Sequence, residues 1–385
     1  MGCWPGARER DVESLLSTLT PTSRIPSLDG LRAVSFLLVF GDHAGLGLAV
    51  PLVAGDLGVT IFFFLSGFII TTLMRLEFET SGSVNFRHFW VRRALRILPP
   101  LFLVVGVASL LALILYPPGT VYGPAMAAEL LFYANYWGIY GIDRVAPGTG
   151  VVWSLAVEEH FYLLFPLLYA VMQKYRVPRQ RQAILLWSLC AAILAWRCLL
   201  VIGLHATSSR IFLATDTRMD SILFGCALAV WNNPAIDGPL RAPNVWRYLL
   251  LPGALAALAA SVLFGGPVFK ATCYFSIQGV ALTCVFMCAV RYPLWTGFRV
   301  LNWRPVAFIG VLSYSLYLVH DVLLRAVRHL WPKHHGGQHA VIALAASIVV
   351  AWMIYELVEK PCRRLGKKIA PHGIGKPMTD LGVAG

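Results

Sequence analysis

The chain has 385 residues, 58% of them hydrophobic and only 13% charged, with a mean hydropathy of +0.68. A water-soluble domain carries about twice that share of charge, so the composition excludes a soluble globular enzyme and makes a bilayer the solvent for most of the chain. The net charge of +13 reads as basic residues collected on cytoplasmic loops, and no nucleic-acid partner is expected.

Apolar runs of about 20 residues, the length needed to cross a bilayer, recur along the chain. They are continuous rather than alternating, which selects helices over a barrel. The expected fold is all-α and polytopic, with about ten transmembrane helices. A polar N-terminal tail covers residues 1–24, a membrane domain residues 25–365, and a C-terminal tail residues 366–385. Candidate spans fall at 28–50, 57–75, 97–116, 151–173, 183–203, 217–231, 248–264, 272–290, 305–329 and 339–358. No removable signal peptide and no second, water-soluble domain are expected.

Charge sets the orientation. With a cytoplasmic N-terminus, the inner loops and tails carry 24 of the 32 lysines and arginines, so both termini are expected in the cytoplasm and the protein in the inner (plasma) membrane. Residues 126–142 are also apolar and aromatic. A span there would export 15 basic residues, so this stretch is expected to be an interfacial or re-entrant helix on the outer side. Six of the eight cysteines (Cys190, Cys198, Cys226, Cys273, Cys284, Cys288) lie in apolar segments and none forms a C-x-x-C pair. They read as small core residues, without a disulfide framework or structural zinc.

Ionisable side chains inside spans are costly and point to function. In the first span, Asp29 or Ser27 is expected to cap the helix. Arg32 sits in its first turn, where the helix end favours anions. His43 follows eleven residues later, on the same face and about 16 Å further along the axis. That is the reach of an extended pantetheine arm, so one helix can hold a CoA phosphate and present a base near the thioester. A satisfied core histidine is the competing reading of His43. Asp42 points about 100° away. In the basic group 87–96, Arg93 and Arg96 share a face and suit phosphate oxygens; membrane anchoring explains them equally well. Glu158 and Tyr162 share a face of the 151–173 span, where the carboxylate can orient a catalytic imidazole from another helix. Glu159 and His160 read as mouth residues facing water. Arg218 and Asp220 pair with other helices or form a structural ion pair. The tract from Lys333 to His339 lacks a helical ligand pair with a carboxylate, and no metal is expected there.

Seven segments, in order, resemble the membrane-bound acyltransferase family 3, the O-acyltransferases of bacterial surface saccharides. They are Leu28-Asp29-Gly30-Leu31-Arg32 with its spacing to His43, Phe62-Phe63-Phe64-Leu65-Ser66-Gly67-Phe68, Arg92-Arg93-Ala94-Leu95-Arg96-Ile97, Trp153-Ser154-Leu155 with Glu158, Thr217-Arg218-Met219-Asp220, Ser313-Tyr314-Ser315-Leu316-Tyr317-Leu318-Val319-His320, and Glu359-Lys360-Pro361. The chain departs from the family pattern at His160 and Asp321. The resemblance implies an acyl-CoA donor (acetyl-CoA foremost) on the cytoplasmic side and no tightly bound cofactor. It makes His43 the catalytic base, Arg32, Arg93 and Arg96 donor contacts, and Glu158 a site carboxylate. Asp42, Tyr162, Arg218, Asp220 and His320 are further substrate or structural positions. The expected reaction moves an acyl group, acetyl foremost, to a hydroxyl of a carbohydrate or glycolipid, by direct transfer or through an acyl-histidine. The alternative is a transporter of a saccharide or glycolipid. Transporters of that kind usually have duplicated halves, and no internal repeat is visible.

Overall fold

A computed structural model of the chain describes residues 25–140, 145–240, 242–333 and 336–371. The N-terminal tail to residue 24, the C-terminal residues from 372, and His334 and His335 lie outside the described residues. The main helices are α1 Leu28–His43, α2 Gly55–Ser81, α3 Phe86–Leu115, α4 Gly123–Leu130, α5 Ala134–Ile139, α6 Trp153–Lys174, α7 Arg179–Cys198, α8 Ser208–Leu213, α9 Thr215–Trp231, α10 Pro243–Leu263, α11 Tyr274–Arg291, α12 Arg304–Leu330, α13 Gly336–Ile354 and α14 Lys360–Ile369. Among the described residues no strand forms. Eight helical stretches are long and apolar enough to cross a membrane: α2, α3, α6, α7, α10, α11, α12, and α13 continued through a π turn into α14. The remaining two expected spans, α1 and α9, have 16 and 17 residues, about 24–26 Å of helix, and pack in the middle of the bundle.

The helices follow the apolar runs with two shifts. The first span ends at His43 instead of residue 50, because Gly45 takes a left-handed conformation with φ 85° that stops the helix. The third begins at Phe86, ahead of its apolar run. The Asn85 side chain accepts from the His88 backbone N–H at 3.0 Å and starts the helix there. Arg93 and Arg96 are therefore helical, followed within the same helix by Pro99 and Pro100. The C-terminal boundary read at residue 365 falls inside α14.

Glycines set the tightest helix contacts. A Cβ on Gly30 would strike the Leu301 carbonyl, and one on Gly310 the Asp29 carbonyl, so α1 lies backbone against backbone on α12 and the turn before it. Gly67 meets the Ile222 carbonyl and Gly225 the Phe64 carbonyl, which brings α2 and α9 equally close. Apolar side chains gain little by leaving lipid for another helix, so such small-residue contacts hold membrane helices together.

Polar contacts define the two ends of the bundle. At one end Arg75 binds Asp237 at 2.8 Å, Arg179 pairs with Glu79, Arg291 donates to the Gly238 carbonyl at 2.6 Å, and Arg92 lies 3.6 Å from Glu77. Arg92 also donates to the Ala370 carbonyl at 3.1 Å. At the opposite end Trp196 donates to Asp216 at 2.7 Å, and Arg328 to the His43 carbonyl at 3.0 Å. The third helix leaves the first end and α6 returns to it. The segment holding α4 and α5 therefore stays at the second end, in two pieces of 8 and 6 residues. This agrees with the interfacial reading of 126–142, of which residues 141 and 142 lie outside the described residues.

Candidate functional site

One face of α1 organises the site. Arg32, Phe36, Phe40 and His43 recur at helical spacing, and this face lies against α12. Near the first end, α1, α2, α3, α6 and α12 wall a cavity lined by Arg32, Ser66, Arg93, Arg96, Glu158 and Tyr162, with Ser154, Tyr314 and Tyr317 among the others. A second cavity shares Arg32, Ile69, Arg96, Ser313 and Tyr314 with the first and adds Asp29, Tyr355 and Arg363. Two chambers thus meet at Arg32 and Arg96. All three arginines expected to hold the donor face the same space, although they come from two helices.

The polar groups of this space differ in how far they are satisfied. Tyr162 donates to the Glu158 carboxylate at 2.6 Å, as its one-turn spacing requires, and takes a bond from Ser66. Trp90 donates to the Tyr162 carbonyl at 3.1 Å. Arg32 pairs with Asp29 at 2.7 Å. Arg93 lies 4.6 Å from the centre of the Tyr162 ring and 5.8 Å from that of Phe89. Among the described residues neither Arg93 nor Arg96 forms a hydrogen bond or an ion pair, so their guanidinium forks remain open.

His43 stands beyond the inner end of the first cavity. A chain of rings leads to it: Phe62 packs on Tyr317 at 5.7 Å, Tyr317 on His320 at 5.6 Å, and His320 meets His43 edge to edge with ring centres 5.1 Å apart. His43 Nδ1 is hydrogen-bonded to His320 Nε2 at 3.0 Å, and His320 Nδ1 to the Tyr317 carbonyl at 2.7 Å. The Tyr317 hydroxyl meets Ser154 at 2.8 Å.

Several expectations need correction. His43 is hydrogen-bonded to His320 and not to Glu158, whose bond comes from Tyr162; the carboxylate lies one turn from Tyr162 on its own helix and among the arginines. Neither Ser27 nor Asp29 caps α1. Ser27 is tied to Asn302 at 2.7 Å, and Asp29 is the ion-pair partner of Arg32. His160 is half-buried, and its Nδ1 is hydrogen-bonded to Thr215 at 2.7 Å, which links α6 to α9. Asp42 is exposed and sits over Gly55, away from the His43 face as its spacing requires. Asp220 pairs with Arg197 at 2.7 Å, both fully buried, while Arg197 also binds Thr272, Thr217 and Ser276. Arg218 pairs with neither. It lies 3.6 Å from the centre of Phe275, with Phe212, Phe63 and Trp153 around it.

Residues not singled out individually also enter the site. Ser66, Tyr314 and Tyr317 stand in two of the quoted motifs; Ser66 lies one turn from Phe62, and Tyr317 one turn from Ser313, which is the only positional signal that they line the site. Arg363 carried no signal beyond its place in a basic tail. Among the described residues no group of three His, Cys, Asp or Glu side chains converges as a metal site.

Apolar helices around a two-chambered cavity lined by three half-buried arginines define a multi-pass membrane protein. Residues 25–356 match the family model described as an acyltransferase domain, and the chain belongs to that family. It is 29% identical over 365 residues to the peptidoglycan O-acetyltransferase OatA of Listeria monocytogenes, covering 89% of this chain and 56% of the relative. It is 31% identical over 366 residues to a putative peptidoglycan O-acetyltransferase, YrhL, of Bacillus subtilis, covering 89% and 55%. A putative O-acetyltransferase of Staphylococcus aureus strain COL is 28% identical over 369 residues, covering 89% and 58%. The chain thus spans a little over half the length of these curated relatives. No solved structure matches it.

Proposed function

We propose that this protein is an O-acyltransferase of the plasma membrane that moves an acetyl group from acetyl-CoA to a hydroxyl of a carbohydrate. The observation that carries the reading is the pair of open guanidinium forks, Arg93 and Arg96, in one cavity with Arg32. Three half-buried cations in a membrane bundle face the single carboxylate Glu158 in the first cavity, among the described residues, an excess of positive charge that is costly, and a pyrophosphate-bearing donor supplies the negative charge that offsets it. The relatives' names point to a cell-wall glycan as acceptor. Arg363, on the wall of the second chamber, joins the donor contacts.

In this reading the donor enters at the cytoplasmic end with its phosphates on Arg32, Arg93 and Arg96. Its pantetheine arm runs along α1 toward His43, about 16 Å further on. His43 takes the proton of the acceptor hydroxyl as the oxygen attacks the thioester carbonyl. The C–S bond then breaks, the CoA thiolate leaves, and the imidazolium returns its proton to it. Glu158 holds the Tyr162 hydroxyl and balances the arginines.

The test is transfer by the full chain in membrane vesicles, supplied with labelled acetyl-CoA and soluble peptidoglycan fragments. The expected result is one acetyl ester on the glycan for each CoA thiol released, and loss of both in His43→Ala. Full transfer by a correctly inserted His43→Ala protein would remove the base from this mechanism.

A further inference from the structure

We propose that His320 is a positioning residue that fixes the tautomer of His43, so that His43 presents an unprotonated Nε2 to the acceptor hydroxyl. This inference rests on the reading of His43 as the base.

The chain of hydrogen bonds has one direction. A backbone carbonyl carries no proton, so at 2.7 Å from the Tyr317 oxygen it is His320 Nδ1 that donates. A neutral imidazole has a single N–H, so His320 Nε2 is an acceptor. The 3.0 Å contact between the two rings then places the proton on His43 Nδ1. His43 is left with its lone pair on Nε2, which makes no hydrogen bond among the described residues. The opposite tautomer of His43 would set two lone pairs against each other and leave its own Nε2 protonated, unable to accept the hydroxyl proton.

The surroundings lock this arrangement. His320 is fully buried, with Phe36 edge-on at 5.8 Å, Phe40 at 6.3 Å and Tyr317 at 5.6 Å. A second proton on His320 would put an unpaired charge among these rings, at a large desolvation cost. The two imidazole planes lie within 12° of each other, and Arg328 fixes the His43 backbone from the end of α12 at 3.0 Å. When His43 takes the hydroxyl proton it becomes an imidazolium, and its Nδ1–H is already directed at His320 Nε2. A buried neutral histidine thus plays the orienting part that a carboxylate plays in a serine hydrolase.

His320→Gln and His320→Leu separate positioning from packing. The glutamine amide oxygen reaches the place of Nε2 and can accept from His43 Nδ1. Leucine fills the apolar site but offers no acceptor. Both are made in the full chain, checked for insertion and thermal midpoint, and assayed with acetyl-CoA and peptidoglycan fragments. In His320→Leu, kcat is expected to fall on the order of a hundredfold or more, the scale of a misoriented general base, with the KM for acetyl-CoA unchanged because His320 lies outside the donor cavity. His320→Gln is expected to keep kcat within about tenfold of the parent, since its acceptor preserves the general-base geometry. Should the leucine protein fail to insert, His320→Ile takes its place as the variant without an acceptor. A leucine or isoleucine protein as active as the glutamine protein would overturn the proposal. Activity in His43→Ala would instead overturn the base reading on which it rests, so the two failures are told apart.

Discussion

Truncating Arg96 to alanine removes a side chain that costs the fold little and, in the proposed reading, the donor much. Arg96 lines both chambers and forms no ion pair or hydrogen bond among the described residues, while Arg32 and Arg93 stand beside it as like charges. Substitutions away from packed or paired sites change stability by about 0.5 kcal/mol or less, so the thermal midpoint of Arg96→Ala should stay close to that of the parent. A hydrogen bond to a charged group is worth about 1.5–3 kcal/mol. Loss of one such bond to a donor phosphate therefore weakens acetyl-CoA binding by about 10- to 150-fold. Arg96→Lys restores the charge but not the two-pronged fork and should fall between. The assay is calorimetric titration of acetyl-CoA into the purified protein in lipid nanodiscs, alongside transfer kinetics over a range of donor concentrations. An unchanged donor Kd and unchanged kcat/KM in Arg96→Ala would refute the reasoning and return Arg96 to membrane anchoring. A large drop in midpoint would show a structural part that its open fork does not reveal.

Three other outcomes follow from different parts of the molecule. Asp220→Asn leaves Arg197 charged and fully buried, at a cost of about 3–5 kcal/mol; its thermal midpoint should fall well below the parent's, and the double variant Arg197→Met, Asp220→Leu should recover most of the loss. The Glu129 carboxyl of α4, 1% exposed, has its pKa raised to about 7 by burial; the nearby Thr149 hydroxyl donates to the Ala146 carbonyl at 2.8 Å. Its folded pKa lies above the unfolded value, so stability falls as pH rises from about 4.5 to 7, by up to about 3 kcal/mol. Glu129→Gln should flatten that fall, and a midpoint-versus-pH curve identical to the parent's would contradict it. Single cysteines at Arg179 and Arg299, in a background lacking the eight native cysteines, should react with an impermeant reagent only after permeabilisation, and one at Lys333 in intact cells. External labelling at 179 and 299 would reverse the orientation drawn from charge.

Much of the molecule was legible from periods that are local to one helix. Hydropathy located the apolar runs because crossing a bilayer takes a set length of apolar helix, and charge asymmetry kept 126–142 out of the count; among the described residues that stretch holds two short helices, neither long enough to cross. The 3.6-residue period put Glu158 beside Tyr162, set Arg93 and Arg96 on one face, and aligned Arg32 with His43. What no single helix contains was decided by the packing. His43 and His320 are 277 residues apart, and only the pressing of α1 on α12 at Gly30 and Gly310 brings them together. The same holds for Asp220 with Arg197 rather than Arg218, for the aromatic cage around Arg218, and for Arg363 on the wall of the second chamber. In lipid, one apolar helix face is nearly as good a neighbour as another. The choice of partner therefore falls to a few backbone-close glycines and buried polar bonds, and a linear sequence shows where these are without showing what they meet.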